Sequence, residues 1–508
     1  MTGKVFLVGA GPGDPDLITI KGKECIKKSD VIIYDYLASS ELLKFANKTA
    51  EKIYVGKKSG HHTVGQKAIN KLIVKKAQSG LIVTRLKGGD PFIFGRGGEE
   101  AEVLINAGIP YEIVPGVTSA IAAPAYAGIP LTHRKCTSTL AFVTGHEDPE
   151  KKESRINWEA LANGIGTIVF LMGVKNLNKI AEKLMEHGMK SDTPVALVRW
   201  GSTPAQFTVT GTLDNIVEKA RISGIKPPAV IVVGHVVKYR KTMKWFENRP
   251  LMGKKIVVTR AREQASELVK GLSELGAECI EYPLIKIVPI ENNPLLDQSI
   301  NNLSSYDWLI FTSVNSVSIF FKALLSKNGQ DARSLSKIKT AAIGPATQNK
   351  MFEFGLKSDI VPETYRAESV IEAFSNIDLK NKKILLPRAK KARSVLPEEL
   401  TNMGAIIDDI HIYSTEADNE NSDLLLSRLR EKCVDMVTFT SSSTVKNFYS
   451  IIQREKIDKL MDNVVVACIG PVTAETAKKF GFKVDIVSET FTISGLCDSI
   501  LNYYNTLY

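Results

Sequence analysis

The sequence contains no long apolar segment and no recognisable targeting signal. Its best apolar runs, residues 167–174 and 229–237, are the length of strands, whereas a transmembrane helix needs about 18 apolar residues. The first residues enter a strand pattern at once, without the basic and apolar regions of a secretory signal peptide. We therefore expect a cytoplasmic protein with no membrane partner.

Cysteine and histidine are sparse and scattered. The six cysteines include no C-x-x-C pair, and the seven histidines have no metal-ligand spacing. This usage fits free thiols in a reducing compartment better than a disulfide framework or a zinc site. We expect neither structural disulfides nor a bound metal.

The overall composition is typical of a globular protein. The 508 residues are 44% hydrophobic and 24% charged, which excludes wholesale disorder and a fibrous chain. At roughly 100–200 residues per domain, the length suggests about three or four domains.

The positive charge is concentrated in the first half of the chain. Residues 1–250 hold 35 Lys and Arg against 23 Asp and Glu, a net +12, and residues 251–508 hold 31 against 32, a net −1. A basic half indicates an acidic partner, and nucleic acid is the first class to consider. Because the basic residues form no Arg-rich arm and no basic–aromatic RNA motif, a small polyanionic substrate fits equally well.

Strand and helix patterns alternate along the chain. A strand over 4–9, a helix over 20–29 and a strand over 31–34 begin a series that predicts α/β architecture with mostly parallel sheets. The alternation lapses in a basic, aromatic stretch at 238–253, and a new strand follows at 254–260. We place the boundary between the two halves there.

The second half repeats itself at a domain-sized period. The segments 254–260 and 310–313 match 382–388 and 438–441 at an offset of 128 residues. A period of this length indicates a duplicated α/β unit and not a solenoid. Two similar lobes commonly enclose a cleft in which small molecules bind, although duplication without a shared site is the alternative.

Glycine-rich turns follow four strands of the first half. The turn at 9–15 is not a dinucleotide fingerprint, because an aspartate stands where the motif needs its last glycine and two prolines interrupt the helix that would follow. The turn at 88–89 lacks the Gly-Lys-Ser/Thr of a P-loop. Together with the turns at 115–119 and 172–173, these strand ends predict a pocket of backbone hydrogen bonds, although each alone is typical of an ordinary turn.

In this order the four turns resemble the tetrapyrrole methylase family and, within it, the uroporphyrinogen-III C-methyltransferases. The motifs are V-G-A-G-P-G-D-P-D-L-I-T at 8–19, Y-D at 34–35, V-G-K-K-S-G-H-H at 55–62, the run 88–100 and P-G-V-T-S at 115–119. The likeness covers about residues 3–245 and implies a two-subdomain α/β fold that uses S-adenosylmethionine. The residues that it implies for binding this co-substrate are Pro12, Gly88, Gly89, Asp90, Ile93, Thr118, Ser119, Met172 and Gly201.

The same resemblance implies acid–base roles for Asp35 and Lys57. A carboxylate can take the proton that leaves a methylated macrocycle, and Lys57 can donate a proton or simply hold a substrate carboxylate. A structural role for Asp35, capping a turn, is the alternative. A carboxylate-rich tetrapyrrole would also account for the basic first half, and its candidate partners are Arg85, Lys87, Arg96, Arg134 and Lys135.

The duplicated half resembles uroporphyrinogen-III synthase over about residues 252–505, through shorter motifs. They are V-T-R at 258–260, F-T-S at 311–313, P-R at 387–388, I-Y at 412–413, T-S-S at 440–442 and the two G-P-x-T turns at 344–347 and 470–473. That family implies two α/β lobes facing each other across the substrate. We expect about 254–283 with 416–508 in one lobe and 284–415 in the other.

The synthase resemblance implies closure of linear hydroxymethylbilane with inversion of its last ring. Tyr413 is the candidate acid that aids loss of the hydroxyl group, and a buried tyrosine satisfied by a neighbour is the alternative. The candidates for substrate binding are Arg260, Thr312, Ser313, Arg388, Thr440, Ser441 and Thr473. For the hydroxyl residues among them, capping a helix N-terminus is the alternative role.

The leading hypothesis is a bifunctional enzyme that makes uroporphyrinogen III and methylates it twice, through precorrin-1 to precorrin-2, for siroheme or cobalamin. It places a methyltransferase at 1–245, a linker at 246–253 and a synthase at 254–508, with a homodimer formed through the first half. The alternative is a methylase-fold enzyme that acts on RNA or protein and carries a C-terminal module that senses a tetrapyrrole.

Overall fold

The computed structural model describes residues 3–56, 65–146, 155–260, 266–327, 329–364, 366–417, 422–452 and 457–506. The chain forms two compact units: Met1–Lys255 with Gly271–Cys279 and Leu501–Tyr508, and Ile256–Lys270 with Ile280–Ile500. None of the helices in the described ranges combines the length and the apolar character of a membrane span.

The first half begins with a sheet whose five described strands are all parallel, in the order β3-β2-β4-β1-β5. The strands are β1 Val5–Gly9, β2 Val31–Tyr34, β3 Glu51–Tyr54, β4 Val83–Lys87 and β5 Tyr111–Val114. The helices between and after them are α1 Ile20–Lys28, α2 Gln66–Gln78, α3 Gly97–Asn106 and α4 Ser119–Tyr126.

Local sequence explains the start of this sheet. Thr19 caps α1 because its Oγ1 accepts a 3.0 Å hydrogen bond from Gly22 N, and Ser and Thr are favoured at that position. Leu7 and Val8 of β1 face two different apolar clusters, since successive strand residues point to opposite faces. The predicted helix at 20–29 and strand at 31–34 are confirmed to within a residue.

The second sheet of the first half is mixed, in the order β6-β7-β10-β8-β9. Its strands are β6 Leu140–Thr144, β7 Thr167–Leu171, β8 Pro194–Arg199, β9 Phe207–Thr212 and β10 Ala229–Val233, and its helices are α5 Trp158–Gly164, α6 Leu177–Glu186, α7 Ile216–Ser223 and α8 Arg240–Met243. Only β6 and β7 run parallel, because β8 and β9 form a hairpin and β10 runs antiparallel to both of its neighbours. The prediction of mostly parallel sheets is wrong for this sheet.

The basic, aromatic stretch after β10 is anchored within the first unit. Phe246 and Leu251 are buried. The Glu247 carboxylate accepts hydrogen bonds from Gln206 Nε2 and Thr208 Oγ1 and pairs with Arg240. The contacts of these side chains therefore hold the stretch against the second sheet.

The second half contains two further sheets among its described residues, in the orders β12-β11-β18-β19-β20 and β13-β17-β16-β14-β15. The strands are β11 Lys255–Val258, β12 Glu278–Glu281, β13 Ile285–Pro289, β14 Trp308–Phe311, β15 Lys339–Ala342, β16 Lys383–Ala389, β17 Ile406–Ala417, β18 Met436–Phe439, β19 Val465–Cys468 and β20 Ile486–Val487. The helices are α9 Ser266–Glu274, α10 Pro294–Asn301, α11 Val314–Leu325, α12 Pro345–Phe352, α13 Ala367–Phe374, α14 Val395–Asn402, α15 Ser422–Arg430, α16 Ser442–Ile452, α17 Ile457–Leu460, α18 Pro471–Lys479 and α19 Ile493–Asn505.

The two sequence repeats of this half exchange strands. β11 of the first repeat pairs with β18 of the second, and β16 of the second repeat pairs with β14 of the first. The resulting orders β12-β11-β18-β19 and β17-β16-β14-β15 are equivalent under the repeat. The bridge between Ala341 and Ile360 even corresponds to the pairing of Ala467 with Ile486. The duplicated α/β unit is therefore confirmed.

Candidate active sites

Three glycines bring the ends of β4, β1 and β5 into backbone contact. A Cβ atom built on Gly9 would lie 2.5 Å from Gly116 Cα and 2.7 Å from the Gly89 carbonyl oxygen, so none of these contacts has room for a side chain. Gly11 and Gly89 also exchange backbone hydrogen bonds of 3.2 and 2.7 Å. The carboxyl end of the sheet therefore presents peptide groups, which is where ligands bind in open α/β sheets.

Asp90 organises the loop that follows β4. Its Oδ1 accepts hydrogen bonds from Phe92 N at 2.7 Å and Ile93 N at 3.1 Å, and its Oδ2 accepts one from Gly116 N at 3.0 Å. The carboxylate thus holds the loop that carries Ile93 against the end of β5. Ile93 itself is exposed.

Gly88, Gly89, Thr118 and Ser119 lie together at this edge. A Cβ atom on Gly89 would be 3.7 Å from both Ser119 N and Thr118 Cα. Thr118 is buried and caps α4, with its Oγ1 accepting from Ala120 N. Thr118 therefore has a capping role that the sequence analysis did not predict for it.

The loop between β8 and β9 brings Gly201 to the same edge. Asp14 N donates a 3.1 Å hydrogen bond to Ser202 Oγ, and a Cβ atom on Gly201 would lie 2.7 Å from Ala123 Cα in α4. The loop of the second sheet therefore contacts the turn that contains Pro12. Met172 follows β7 and is about half exposed. A Cβ atom on Gly145, after β6, would lie 2.9 Å from the nitrogen of Gly173, which follows Met172.

Strained backbone is concentrated in these loops. Every non-glycine residue with positive φ in the described part of the first half belongs to them: Phe94, Arg96, Met172, Trp200 and Ser202. Such conformations cost about 1–3 kcal/mol each and cluster at ligand sites. The sequence analysis named Met172 and Arg96 for other reasons and missed Phe94, Trp200 and Ser202, because nothing in their chemistry signals a left-handed conformation.

Exposed apolar side chains border the same edge, and the sequence analysis named only Ile93 among them. They are Tyr36, Leu37, Phe92, Ile93 and Phe94, each 39–56% exposed. The rings of Tyr36 and Trp200 pack edge to face with centroids 5.5 Å apart. Exposed apolar patches of this kind mark binding surfaces.

Asp35 lies at the end of β2 with its side chain 27% exposed. Its Oδ2 accepts a 2.9 Å hydrogen bond from Arg85 Nη2, and its Oδ1 accepts one of 3.1 Å from Leu37 N. Both oxygens are therefore held in a defined orientation at the edge that carries the predicted pocket. Lys57, the other predicted acid–base residue, lies outside the described residues.

The prediction that Arg85 and Lys87 bind substrate carboxylates is wrong. Both side chains are at most 5% exposed and pair with the fully buried Glu100 of α3, because the alternation of β4 points them under the helices. Arg96 is exposed and pairs with Glu99. For Arg134 and Lys135, in the loop before β6, the binding of substrate carboxylates stays a prediction, because no described contact contradicts it.

In the second half, Ser313 and Tyr413 are brought together. Ser313 Oγ lies 3.0 Å from Tyr413 Oη and also accepts from Ser316 N, which caps α11. Tyr413 is 6% exposed, so both the predicted chemistry and the buried, satisfied tyrosine are compatible with this geometry. Thr312 is half-buried beside Ser313.

The equivalent positions of the other sheet repeat this arrangement. Ser441 caps α16 by accepting from Thr444 N at 3.3 Å, half-buried Thr440 precedes it, and Thr473 is buried in α18. The helices α11, α12, α16 and α18 all begin directly after parallel strands. The N-termini of such helices favour anions.

The two arginines proposed for substrate binding differ in their surroundings. Arg388 is buried, with Nε donating to Asp409 at 2.6 Å and Nη1 donating to the Arg393 carbonyl, so its guanidinium is occupied inside the lobe. Arg260 follows β11, and burial lowers the pKa of its guanidinium. Within the described residues, no cluster of His, Cys, Asp and Glu could hold a metal ion.

Known proteins match each half separately and the chain as a whole. A family model described as Tetrapyrrole (Corrin/Porphyrin) Methylases matches residues 4–217, and one described as Uroporphyrinogen-III synthase HemD matches residues 266–498. A protein of Ruminiclostridium josui named "Porphyrin biosynthesis protein HemD" is 41% identical over 98% of this chain and 98% of its own length.

Shorter relatives match the first half alone. The uroporphyrinogen-III C-methyltransferase of Priestia megaterium is 54% identical over 47% of this chain and 99% of its own length. A protein of Methanosarcina barkeri named "S-adenosyl-L-methionine-dependent uroporphyrinogen III methyltransferase" is 55% identical over 46% of this chain and 92% of its own length.

Proposed function

The chain belongs to the tetrapyrrole methylase family through its first half and to the uroporphyrinogen-III synthase family through its second, and we propose that it carries out both reactions. It cyclises hydroxymethylbilane to uroporphyrinogen III, with loss of water and inversion of one ring. It then transfers two methyl groups from S-adenosylmethionine to give precorrin-2 through precorrin-1. The observation that carries the proposal is the match of two different family models to the two halves, together with a relative aligned along 98% of the chain.

The division of labour follows the two family matches. We assign the methyltransferase to residues 1–245, the linker to 246–253 and the synthase to 254–508. Within the synthase, 254–283 with 416–508 form one lobe and 284–415 the other. The stretch 284–415 contains β13, β14, β15 and β16 and all but the last two residues of β17 in the sheet β13-β17-β16-β14-β15, which supports this assignment.

The glycine edge of the first sheet suits a cofactor held by backbone groups. The contact of Gly9, Gly89 and Gly116 leaves the peptide groups open to a ligand. We assign the binding of S-adenosylmethionine to Pro12, Gly88, Gly89, Asp90, Ile93, Thr118, Ser119, Met172 and Gly201. Asp90 acts mainly by holding its loop in place, because both of its oxygens already accept backbone hydrogen bonds.

In methyl transfer the protein contributes mainly by aligning the two reactants and less through side chains that react. When bound, S-adenosylmethionine supplies an electrophilic methyl group, and a pyrrole carbon provides the electron pair for the new carbon–carbon bond as the carbon–sulfur bond breaks. Effective molarities of about 10⁵–10⁸ M show how much positioning alone contributes in model reactions. The methylated macrocycle must then lose a proton from another of its positions, and Asp35, held at this edge, accepts it.

The flat tetrapyrrole has an apolar macrocycle and a carboxylate-rich rim. The exposed apolar side chains at Tyr36, Leu37 and Phe92–Phe94 suit the macrocycle. The net +12 of residues 1–250 suits the carboxylates. Lys57 holds a carboxylate or donates a proton.

The synthase half binds a polyanion without net positive charge. Residues 251–508 carry a net −1, and the helix N-termini that follow β14, β15, β18 and β19 provide positive dipole ends. We assign substrate binding to Arg260, Thr312, Ser313, Arg388, Thr440, Ser441 and Thr473, with Arg388 acting through the loop it holds. Tyr413, paired with Ser313, donates the proton that leaves with the hydroxyl group as water.

We also propose a homodimer formed through residues 1–245 and a cytoplasmic location, with no nucleic acid, membrane or metal involved. Salt-sensitive binding to RNA would contradict this part of the proposal.

The full chain tests both reactions in one vessel. With hydroxymethylbilane alone we expect uroporphyrinogen III, and with S-adenosylmethionine added we expect precorrin-2 and two S-adenosylhomocysteines per macrocycle. Asp35→Asn should slow methylation by about 100-fold or more, so that uroporphyrinogen III accumulates, whereas Tyr413→Phe should slow cyclisation but still methylate uroporphyrinogen III supplied from outside. Formation of only the type-I macrocycle, with no methylated product, would show that the proposal is wrong.

A further inference from the structure

A charged network lies buried beneath Asp35 in the first sheet. Arg85 and Lys87 belong to β4, which pairs with β2 on one side and β1 on the other. Because residues alternate along a strand, both side chains point to the face covered by α2 and α3. There both meet Glu100 of α3, which also accepts a hydrogen bond from Gln66 of α2.

Glu100 is the centre of this network. Its Oε1 accepts from Lys87 Nζ at 2.9 Å, from Gln66 Nε2 at 2.9 Å and from Arg85 Nε at 3.3 Å. Its side chain is fully buried, and its Oε2 has no hydrogen-bond partner among the described residues. Because three donors bond to the same carboxylate oxygen, Glu100 fixes the position of the Arg85 guanidinium.

Such a network is costly to bury. Each ion loses several kcal/mol of hydration, and apolar residues of similar size often serve a core at least as well. Burial, followed by the neighbouring charge of Arg85, lowers the pKa of Lys87, which reflects the same cost. A network this costly to bury, directly below the carboxyl end of the first sheet, points to a function beyond packing.

Arg85 connects the buried network to Asp35. Its Nη1 donates to the carbonyl oxygens of Leu86 at 2.9 Å and Ile33 at 3.3 Å, and its Nη2 donates to Asp35 Oδ2 at 2.9 Å. With Nε on Glu100, the planar guanidinium is held on three sides. Of the two ion-paired side chains, Asp35 reaches solvent and Arg85 does not, since Asp35 is 27% exposed and Arg85 is 4% exposed.

We propose that Arg85 is a positioning residue for methyl transfer, which holds the Asp35 carboxylate in the orientation that accepts the proton from the methylated macrocycle. Glu100 aims the guanidinium at Asp35, and Lys87 neutralises Glu100 so that the charge of Arg85 remains available to Asp35. This inference rests on the proposed function, because it assigns a residue to that same site.

A double-mutant cycle in the full chain tests the coupling between the two residues. Arg85→Lys keeps the positive charge but cannot make the same set of planar hydrogen bonds, and we expect it to lower the kcat of methylation by about 100-fold, the cost of a small misplacement. Asp35→Asn should cost at least as much. If Arg85 acts through Asp35, the double variant should be no slower than Asp35→Asn alone.

Three further measurements separate positioning from loss of structure. S-adenosylhomocysteine should bind Arg85→Lys as tightly as wild type by calorimetry, and the cyclisation rate of the other half should not change. Asp35→Glu alters only the exposed end of the pair, so it tests the same geometry even if Arg85→Lys does not fold, and its kcat should fall by a similar factor. The exposed Arg221, which pairs with Glu218, supplies the matched control Arg221→Lys, with wild-type kcat.

Additive losses in the double variant, or wild-type kcat in Arg85→Lys or Asp35→Glu, would overturn the inference. These outcomes are distinct from failure of the proposed function, in which wild-type protein would not methylate uroporphyrinogen III at all.

Discussion

Tyr126 Oη donates a 2.7 Å hydrogen bond to Asp14 Oδ2 and so joins α4 to the turn that follows β1. Asp14 N donates to Ser202 Oγ, and the same residue therefore connects loops of both sheets in the first half. Burial and the Asp14 carboxylate raise the pKa of the Tyr126 phenol, so the phenol stays protonated and remains a donor at neutral pH.

Tyr126→Phe should weaken binding of S-adenosylhomocysteine by about tenfold. A hydrogen bond to a charged group contributes about 1.5–3 kcal/mol, and its loss frees the turn that carries Pro12. Titration calorimetry measures the change. Tyr239→Phe is the control, because its hydroxyl bonds to His133; equal weakening in both variants would contradict a specific role for Tyr126.

Gly116→Ala should abolish cofactor binding and destabilise the first half. Its Cβ atom would lie 2.7 Å from Gly9 Cα and closer still to the Gly89 carbonyl oxygen, so the backbone loops would have to separate. Gly98→Ala, in α3, has open space around the added methyl group and should stabilise the helix by about 0.5–1 kcal/mol. Calorimetry and thermal unfolding of both variants test this contrast, and unchanged cofactor affinity in Gly116→Ala would refute it.

Tyr306 should make the free energy of unfolding of the second half depend on pH in the alkaline range. Burial and its hydrogen bond to Asp408 raise the pKa of Tyr306 from 10.0 to about 12. Because the unfolded chain loses this proton first, the stabilisation is complete below pH 10 and is lost as the pH rises toward 12.

Tyr306→Phe should therefore be less stable than wild type by about 1–3 kcal/mol at pH 8, and the difference should narrow as the pH approaches 12. Urea unfolding curves at pH 8, 10 and 11 give the comparison. A difference that is constant with pH would mean that the phenol is not the titrating group.

Tyr413→Phe should lower the kcat of cyclisation by about 10²–10⁴-fold, the usual contribution of a general acid. Ser313→Ala should cost about 1 kcal/mol of stability through the lost cap of α11, with a smaller effect on rate. Production of uroporphyrinogen III from hydroxymethylbilane gives the rates, and methylation of added uroporphyrinogen III shows that the first half is intact. Wild-type cyclisation by Tyr413→Phe would leave this tyrosine a purely structural role.

Features that depend on a few consecutive residues could be predicted from the sequence. The helix that follows Thr19, the apolar strand after it and the glycine turns at the ends of β1 and β4 all have local causes, and the structure contains them. The duplicated strands of the second half could also be predicted, because a sequence repeat can be recognised without knowing which strands pair.

Features that depend on distant partners could not be predicted in the same way. Arg85 and Lys87 resemble surface cations until Glu100 and Gln66 are known to cover them. The strand itself gave no signal of burial, because cations that alternate with apolar residues are typical of a strand with one face in water. The ion pair of Arg388 likewise could not be predicted without the pairing of β16 with β17, which places Asp409 beside it.

The exchange of strands between the repeats has a consequence for the second half as a whole. A polypeptide made of one repeat alone would carry β11 without β18 and β14 without β16, so each strand would lack one of its two neighbours. It could close those edges by pairing its own β11 with its own β14, or by pairing each strand with an identical neighbour. The second half has the latter arrangement within one polypeptide, so the two repeats that exchange strands cannot dissociate from each other.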